Sequence, residues 1–327
     1  MKIRLTPQEQ AKFKYVSFAS KKKDIKGNFP DFLIVGPQRT GTSWLAENLT
    51  FHPELGIAIP KEIYYFNRLR KKNRRFSLFH EYFRRSLNNI STVGLSRVFR
   101  ELLKVIYFDF LITRKYHAHR LEWYLSFFKM NSFIYWKRGM RMKKITGKSY
   151  KPQIIGECTA SYAVLDEEII DEIVKLNPDI KVILMIRNPL DRAWSHAIKD
   201  LVKIPNREFK NVSNDEIIEF LEGGFPKKCG FYSVQIKNWS KYLKQGNLHI
   251  GRFSDVSDRP VELLKEVFNF LDVKVADSYI GDEVKEVVYP TSKGQIPKEV
   301  KEYLIKTYRD EIKYLNKEYN FDFSDKI

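Results

Sequence analysis

The sequence predicts an α/β fold in which a central parallel sheet is flanked by helices. Three observations carry that expectation. The run Phe32–Val35 is apolar and short enough for a buried strand, and Gly36, Pro37 and Gly41 break it before a helix-compatible segment opens near Thr42. A second apolar run, Lys181–Ile186, ends in Arg187. Between them, residues 165–176 have helical periodicity and stop at Asn177-Pro178, and strand, helix, strand in that order implies a right-handed crossover and parallel pairing.

Length and composition bound the rest. A chain of 327 residues can bury a large core, and we read residues 1–327 as one α/β domain carrying an N-terminal extension, 1–29, and a basic helical insertion, 68–120. Hydrophobic residues at 43% and aromatics at 14% exclude a disordered chain. No apolar run approaches the roughly 18 to 20 residues of a membrane span. Charges are scattered through the first 24 residues without an apolar core, so no signal peptide is expected and a cytoplasmic location is. Cys158 and Cys229 lack metal-ligand spacing and are too few for a disulfide framework; small core residues and no metal are expected.

The turn after the first strand carries the chemistry. A strand, a tight turn and a helix N-terminus converge backbone N–H groups and the positive end of a helix dipole on one point, which suits phosphate or sulfate. The spacing Gly36-x4-Gly41-Thr42-Ser43 makes the sheet P-loop-like, but the nucleotide-triphosphatase loop needs Lys where Thr42 stands, and here the cation is Arg39. No apolar strand ends in an Asp placed to hold a metal, since the best later one runs into Arg187. A nucleotide kinase or triphosphatase is therefore the alternative rather than the first reading.

GPQRTGTSWL resembles the 5'-phosphosulfate loop of sulfotransferases that use 3'-phosphoadenosine 5'-phosphosulfate (PAPS). KVILMIRNPLDRAWSHA is similar to their second signature, in which an Arg at a strand end and a Ser eight residues later hold the 3'-phosphate. The two motifs stand in the family's order, about 150 residues apart. The resemblance implies that Arg39, Thr40, Gly41, Thr42, Ser43 and Trp44 surround the phosphosulfate, with Arg39 also stabilising the transition state. It implies that Arg187 and Ser195 hold the 3'-phosphate, that Tyr232 of KKCGFY lies near the nucleotide, and that Ser292, Lys293 and Gly294 belong to a closing loop. PAPS is then the donor and 3',5'-ADP the product.

KEIYYFN, which follows Pro60, resembles the Lys-Glu-x-x-Phe-Phe stretch of carbohydrate sulfotransferases of the heparan sulfate type, and the resemblance makes Glu62 the catalytic base. A sugar hydroxyl or amine loses a proton as the sulfuryl group arrives, and a carboxylate aimed at it takes that proton. Tyr64 and Asn67 stand where some relatives have His and Asp, and Cys158 stands where family members often have a Lys near the transferring sulfate. The resemblance points to carbohydrate sulfation, with a carbohydrate, glycolipid or other hydroxylated acceptor.

Net charge is +18, and it is local: residues 68–151 hold 22 Lys and Arg against four Asp and Glu. VFRELLKVIYFDFLI, 98–112, is helix-compatible, and LEWYLSFF, 121–128, is the counterpart of a family Trp-Tyr helix. This region suits an anionic saccharide, the surface of an anionic membrane or, less well, nucleic acid, for which no finger, ribonucleoprotein or zipper signature is present.

Overall fold

The computed structural model describes residues 29–69, 121–129, 132–202, 208, 211–281, 284 and 296–324. The chain separates into two compact units. One, Lys23–Tyr64 with Phe127–Ile327, contains the sheet. The other is represented among the described residues by 65–69 and 121–126, where the short helices Tyr65–Arg68 and Leu121–Leu125 bring Tyr65 and Tyr124 into a ring stack with centroids 4.6 Å apart. The expected extension and insertion lie almost wholly outside the described residues.

Five strands form the sheet: β1 (Phe32–Val35), β2 (Leu55–Ile57), β3 (Ile154–Cys158), β4 (Lys181–Ile186) and β5 (Leu248–Arg252). Their order is β2-β3-β1-β4-β5, and every pairing is parallel. The expected parallel sheet is thus present. Strands buried on both faces read as continuous apolar runs, which is why FLIV and VILMI are uninterrupted.

Eight longer helices flank it among the described residues: α1 (Thr42–Leu49), α2 (Ser132–Thr146), α3 (Glu167–Leu176), α4 (Pro189–Leu201), α5 (Asn214–Glu222), α6 (Tyr232–Tyr242), α7 (Pro260–Phe270) and α8 (Lys298–Tyr319). On one sheet face, Phe32, Ile34, Ile183 and Met185 pack with Leu45 and Leu49 of α1 and with Leu263, Leu264, Val267 and Phe268 of α7. Alternation sends Leu33, Val35, Leu184 and Ile186 to the opposite face, where they are equally buried. A second cluster joins Leu190, Ala193 and Trp194 of α4 to Ile217 of α5 and to Val300, Leu304 and Tyr308 of α8.

Two details differ from expectation. Strand β2 is an unforeseen edge strand, and α2 guards it. Its carbonyls at Leu55 and Ile57 accept hydrogen bonds from Tyr150 Oη (3.3 Å) and Arg138 Nη2 (2.7 Å). KKCGFY, which the sequence reads as the start of a helix at Lys227, does not begin one helix there: α6 begins at Tyr232. Lys227 and Lys228 close a separate short helix, Gly224–Lys228. The chain turns between the two at Gly230, where a Cβ would sit 2.3 Å from the Tyr308 ring.

The turn after β1 depends on Gly36. Its φ is 149°, and an added Cβ would lie 2.6 Å from the Met185 carbonyl oxygen, a backbone atom of β4 with nowhere to go. Gly36→Ala should therefore lower stability by roughly 2–4 kcal/mol through strain and overpacking together. Urea denaturation tests this, and an unchanged midpoint would show that the turn does not need glycine.

Candidate active site

Strands β1 and β4 are neighbours, yet the chain leaves β1 toward the β2–β3 side and leaves β4 toward β5. Ligands of open α/β sheets occupy the crevice at such a switch point, beyond the carboxyl ends of the strands. The loop 36–41 follows β1 at that crevice. Thr40 is buried and its Oγ1 donates to the Pro37 carbonyl at 2.8 Å, which ties the loop to itself. Gly41 takes the N-cap position of α1 with φ 90°, and no side chain caps the helix. The first-turn N–H groups and the positive end of the α1 dipole thus face the loop.

Two arginines meet here from distant parts of the chain. Arg39, at φ 78°, donates from Nε to Ser195 Oγ at 2.7 Å. Ser195 lies two turns into α4, which is started by Pro189 and by the Asn188 side chain accepting from the Leu190 N–H at 2.9 Å. Arg187, the residue after β4, reaches toward the Arg39 carbonyl with a long 3.5 Å contact from Nη1. Its guanidinium lies 4.4 Å over the Phe253 ring, and its backbone N–H donates to Tyr232 Oη at 3.3 Å.

Electrostatics mark the pair as short of an anion. Burial, and then the like charge of Arg187, lower Arg39 below its ordinary value, while Asp200 opposes them. Burial lowers Arg187 as well, opposed chiefly by Asp191. The Arg187 Nε is buried with no hydrogen-bond partner among the described residues. Arginine does not escape by losing its proton, so a half-buried pair of guanidinium groups calls for a multiply charged oxyanion.

A second flank comes from the segment after β2. The Glu62 N–H donates to the Cys158 carbonyl at 2.8 Å, its carboxylate accepts the Ala160 N–H at 3.2 and 3.3 Å, and the Ile63 N–H donates to Thr159 Oγ1 at 3.2 Å. These bonds fasten Glu62 to the carboxyl end of β3, next to β1, with a left-handed φ of 66°. Lys61 was not among the residues singled out from sequence, although it precedes Glu62 in the quoted motif. Its Nζ donates to Ser43 Oγ at 2.5 Å and lies 3.8 Å from Glu62 Oε1.

Other expected residues fall as follows. The side chain of Trp44 faces the core, 2% exposed, and donates to the Val284 carbonyl at 2.9 Å, so only its backbone N–H is offered to the loop. Thr42 is buried at the start of α1. Tyr232 is fully buried behind Arg187, and burial raises its phenol above the ordinary value. Cys158 is buried at the end of β3, and burial pushes its thiol up to about 12, which keeps it protonated at neutral pH and unsuited to nucleophilic attack. Ser292, Lys293 and Gly294 lie outside the described residues. Among the described residues, no group of three or more His, Cys, Asp or Glu side chains is gathered as a metal site would require.

Comparison with known proteins bears on the family and the fold. The sulfotransferase domain family model matches residues 29–325. The bifunctional heparan sulfate N-deacetylase/N-sulfotransferase 2 of Homo sapiens is 22% identical over 253 residues, which cover 75% of this chain and 22% of that protein. The corresponding enzyme 4 of Mus musculus is 22% identical over 254 residues. The chain thus spans 22% of the length of these curated relatives. Among solved structures, a sulfotransferase from Alicyclobacillus acidocaldarius superposes with a TM-score of 0.54 at 19% identity, covering 90% of this chain and 96% of that one, a likeness of fold. With a match that runs through both arginine-bearing motifs, the chain belongs to the sulfotransferase domain family.

Proposed function

We propose that this protein transfers a sulfuryl group from PAPS to a hydroxyl or amine of a carbohydrate acceptor, releasing 3',5'-ADP. The observation that carries the reading is the Arg39–Ser195 hydrogen bond, 2.7 Å long, which joins the loop after β1 to the helix after β4 and sets Arg187 beside them. An adenine nucleotide with phosphates at both its 5' and 3' positions needs two anion sites a short distance apart. The uncapped start of α1 with Arg39 suits one, and Arg187 with Ser195 suits the other. The Arg187 Nε, which has no hydrogen-bond partner among the described residues, fits the same assignment.

The donor supplies a sulfuryl group activated by its bond to phosphate. Around it, Arg39 and the amides from Thr40 to Trp44 meet the negative charge that builds on the leaving phosphate. They therefore favour the transition state over the ground state. Glu62, held by the Ala160 N–H, takes the proton of the acceptor. Lys61, bridging Ser43 and Glu62, provides the cation on the acceptor side that Cys158 does not. A carbohydrate acceptor is supported by the heparan sulfate enzymes among the relatives and by the Lys61-Glu62 context.

Thermal unfolding with 3',5'-ADP, ATP-Mg²⁺ and 5'-AMP in parallel tests the donor assignment, because a ligand of the folded state raises the midpoint by mass action. A selective rise with 3',5'-ADP is expected. A rise with ATP-Mg²⁺ alone would return the loop to the nucleotide kinases. With PAPS and a desulfated heparan-type polysaccharide, Arg39→Ala should lower kcat roughly 10²-fold or more, the range for loss of one preorganised donor. Turnover near that of the wild type would remove Arg39 from the mechanism. Lys61→Met should keep the 3',5'-ADP response, since the product lacks the sulfuryl group, while kcat falls at least about tenfold. Equal loss of both would make Lys61 a structural residue only.

A further inference from the structure

Helix α2 divides its side chains between two tasks. Its inner side is committed to the sheet edge: Arg138 bonds the Ile57 carbonyl, Arg141 lies 4.2 Å over the Phe51 ring, and Met142 is 2% exposed. Its outer side carries large apolar groups in water, with Trp136 60% exposed and Met140 57% exposed. These two are one turn apart and form a single crest. At 3.6 residues per turn, Lys143 falls on one side of that crest and Lys137 and Lys144 on the other, all three exposed. From residue 123 to residue 156 there are eight Lys and Arg and no Asp or Glu.

We propose that this crest docks on an anionic lipid surface, with Trp136 and Met140 entering the headgroup boundary and Lys137, Lys143 and Lys144 meeting lipid phosphates. An indole at the rim of an apolar layer and lysine stems that keep their ammonium groups in water are the side chains such an interface rewards. A run of cations without a single acid complements a surface of one sign, which it meets with favourable energy for each cation. An anionic polysaccharide would engage the lysines but offers no apolar layer for Met140 and Trp136. Since the crest lies on the side of α2 turned away from the β2 edge, docking there is independent of the donor assignment above.

The test is co-sedimentation of the full chain with vesicles of phosphatidylcholine alone and with about a quarter phosphatidylserine added. Binding to the second and not the first is expected. Lys137→Gln/Lys143→Gln/Lys144→Gln should weaken partition roughly 10²-fold, at about fivefold per lysine. Trp136→Ser/Met140→Ser should weaken it at least about tenfold and abolish any blue shift of tryptophan emission that vesicles cause in the wild type. Both variants should keep the wild-type unfolding midpoint, since all five side chains are exposed. Absence of wild-type binding to the anionic vesicles overturns the proposal, and so does binding that neither variant changes. Retention on heparin that survives Trp136→Ser/Met140→Ser, without vesicle binding, would reassign the surface to polysaccharide.

Discussion

The arrangement depends on bringing two guanidinium groups together in a half-buried place. Burial acts against the charge of both Arg39 and Arg187, and the like charge of Arg187 acts further against Arg39. The fold holds them in place by contacts within the protein: Ser195 accepts from Arg39, the Phe253 ring supports Arg187, and Tyr232 holds the Arg187 backbone. An oxyanion arriving there finds its donors already oriented and relieves a repulsion the folded chain otherwise carries.

Backbone conformation gives the same impression. Three of the five non-glycine residues with positive φ among those described are Arg39, Glu62 and Tyr64, all near the carboxyl ends of the central strands. Each such residue costs on the order of 1 kcal/mol or more unless its surroundings over-determine it. At Glu62 the surroundings are explicit, because hydrogen bonds to Cys158, Thr159 and Ala160 pin residues 62 and 63 on both backbone and side chain. The candidate base is therefore displayed on a bent but fastened segment, and its aim does not rely on a flexible loop.

Sequence and structure coincide where a local pattern has one physical solution. Apolar runs ended by Gly36 and by Arg187 could hardly be anything but buried strands, and Asn188-Pro189 announces the start of α4. Strand β2 escapes notice because three residues, LGI, carry no period, and pairing with β3 alone defines them. The contact of Lys61 with Ser43 is equally invisible, since the two stand 18 positions apart with a strand between them. Helix α8 had a legible signal in Val300, Leu304, Tyr308, Ile312 and Leu315, spaced by three or four, but no motif drew attention to it. The convergence of Arg39 with Ser195 was implied only by likeness to a family, because nothing local links residues 156 apart.

The guarded edge of β2 has a consequence for association. Residues 54, 56 and 58 of that segment face β3, so Leu55 and Ile57 present the outward carbonyls that an incoming strand would need. Tyr150 and Arg138 already occupy both. A second chain cannot lengthen the sheet on this side without first displacing a buried tyrosine and a guanidinium. Of the two ends of the described sheet, strand addition at the β2 end is the one that these side chains oppose.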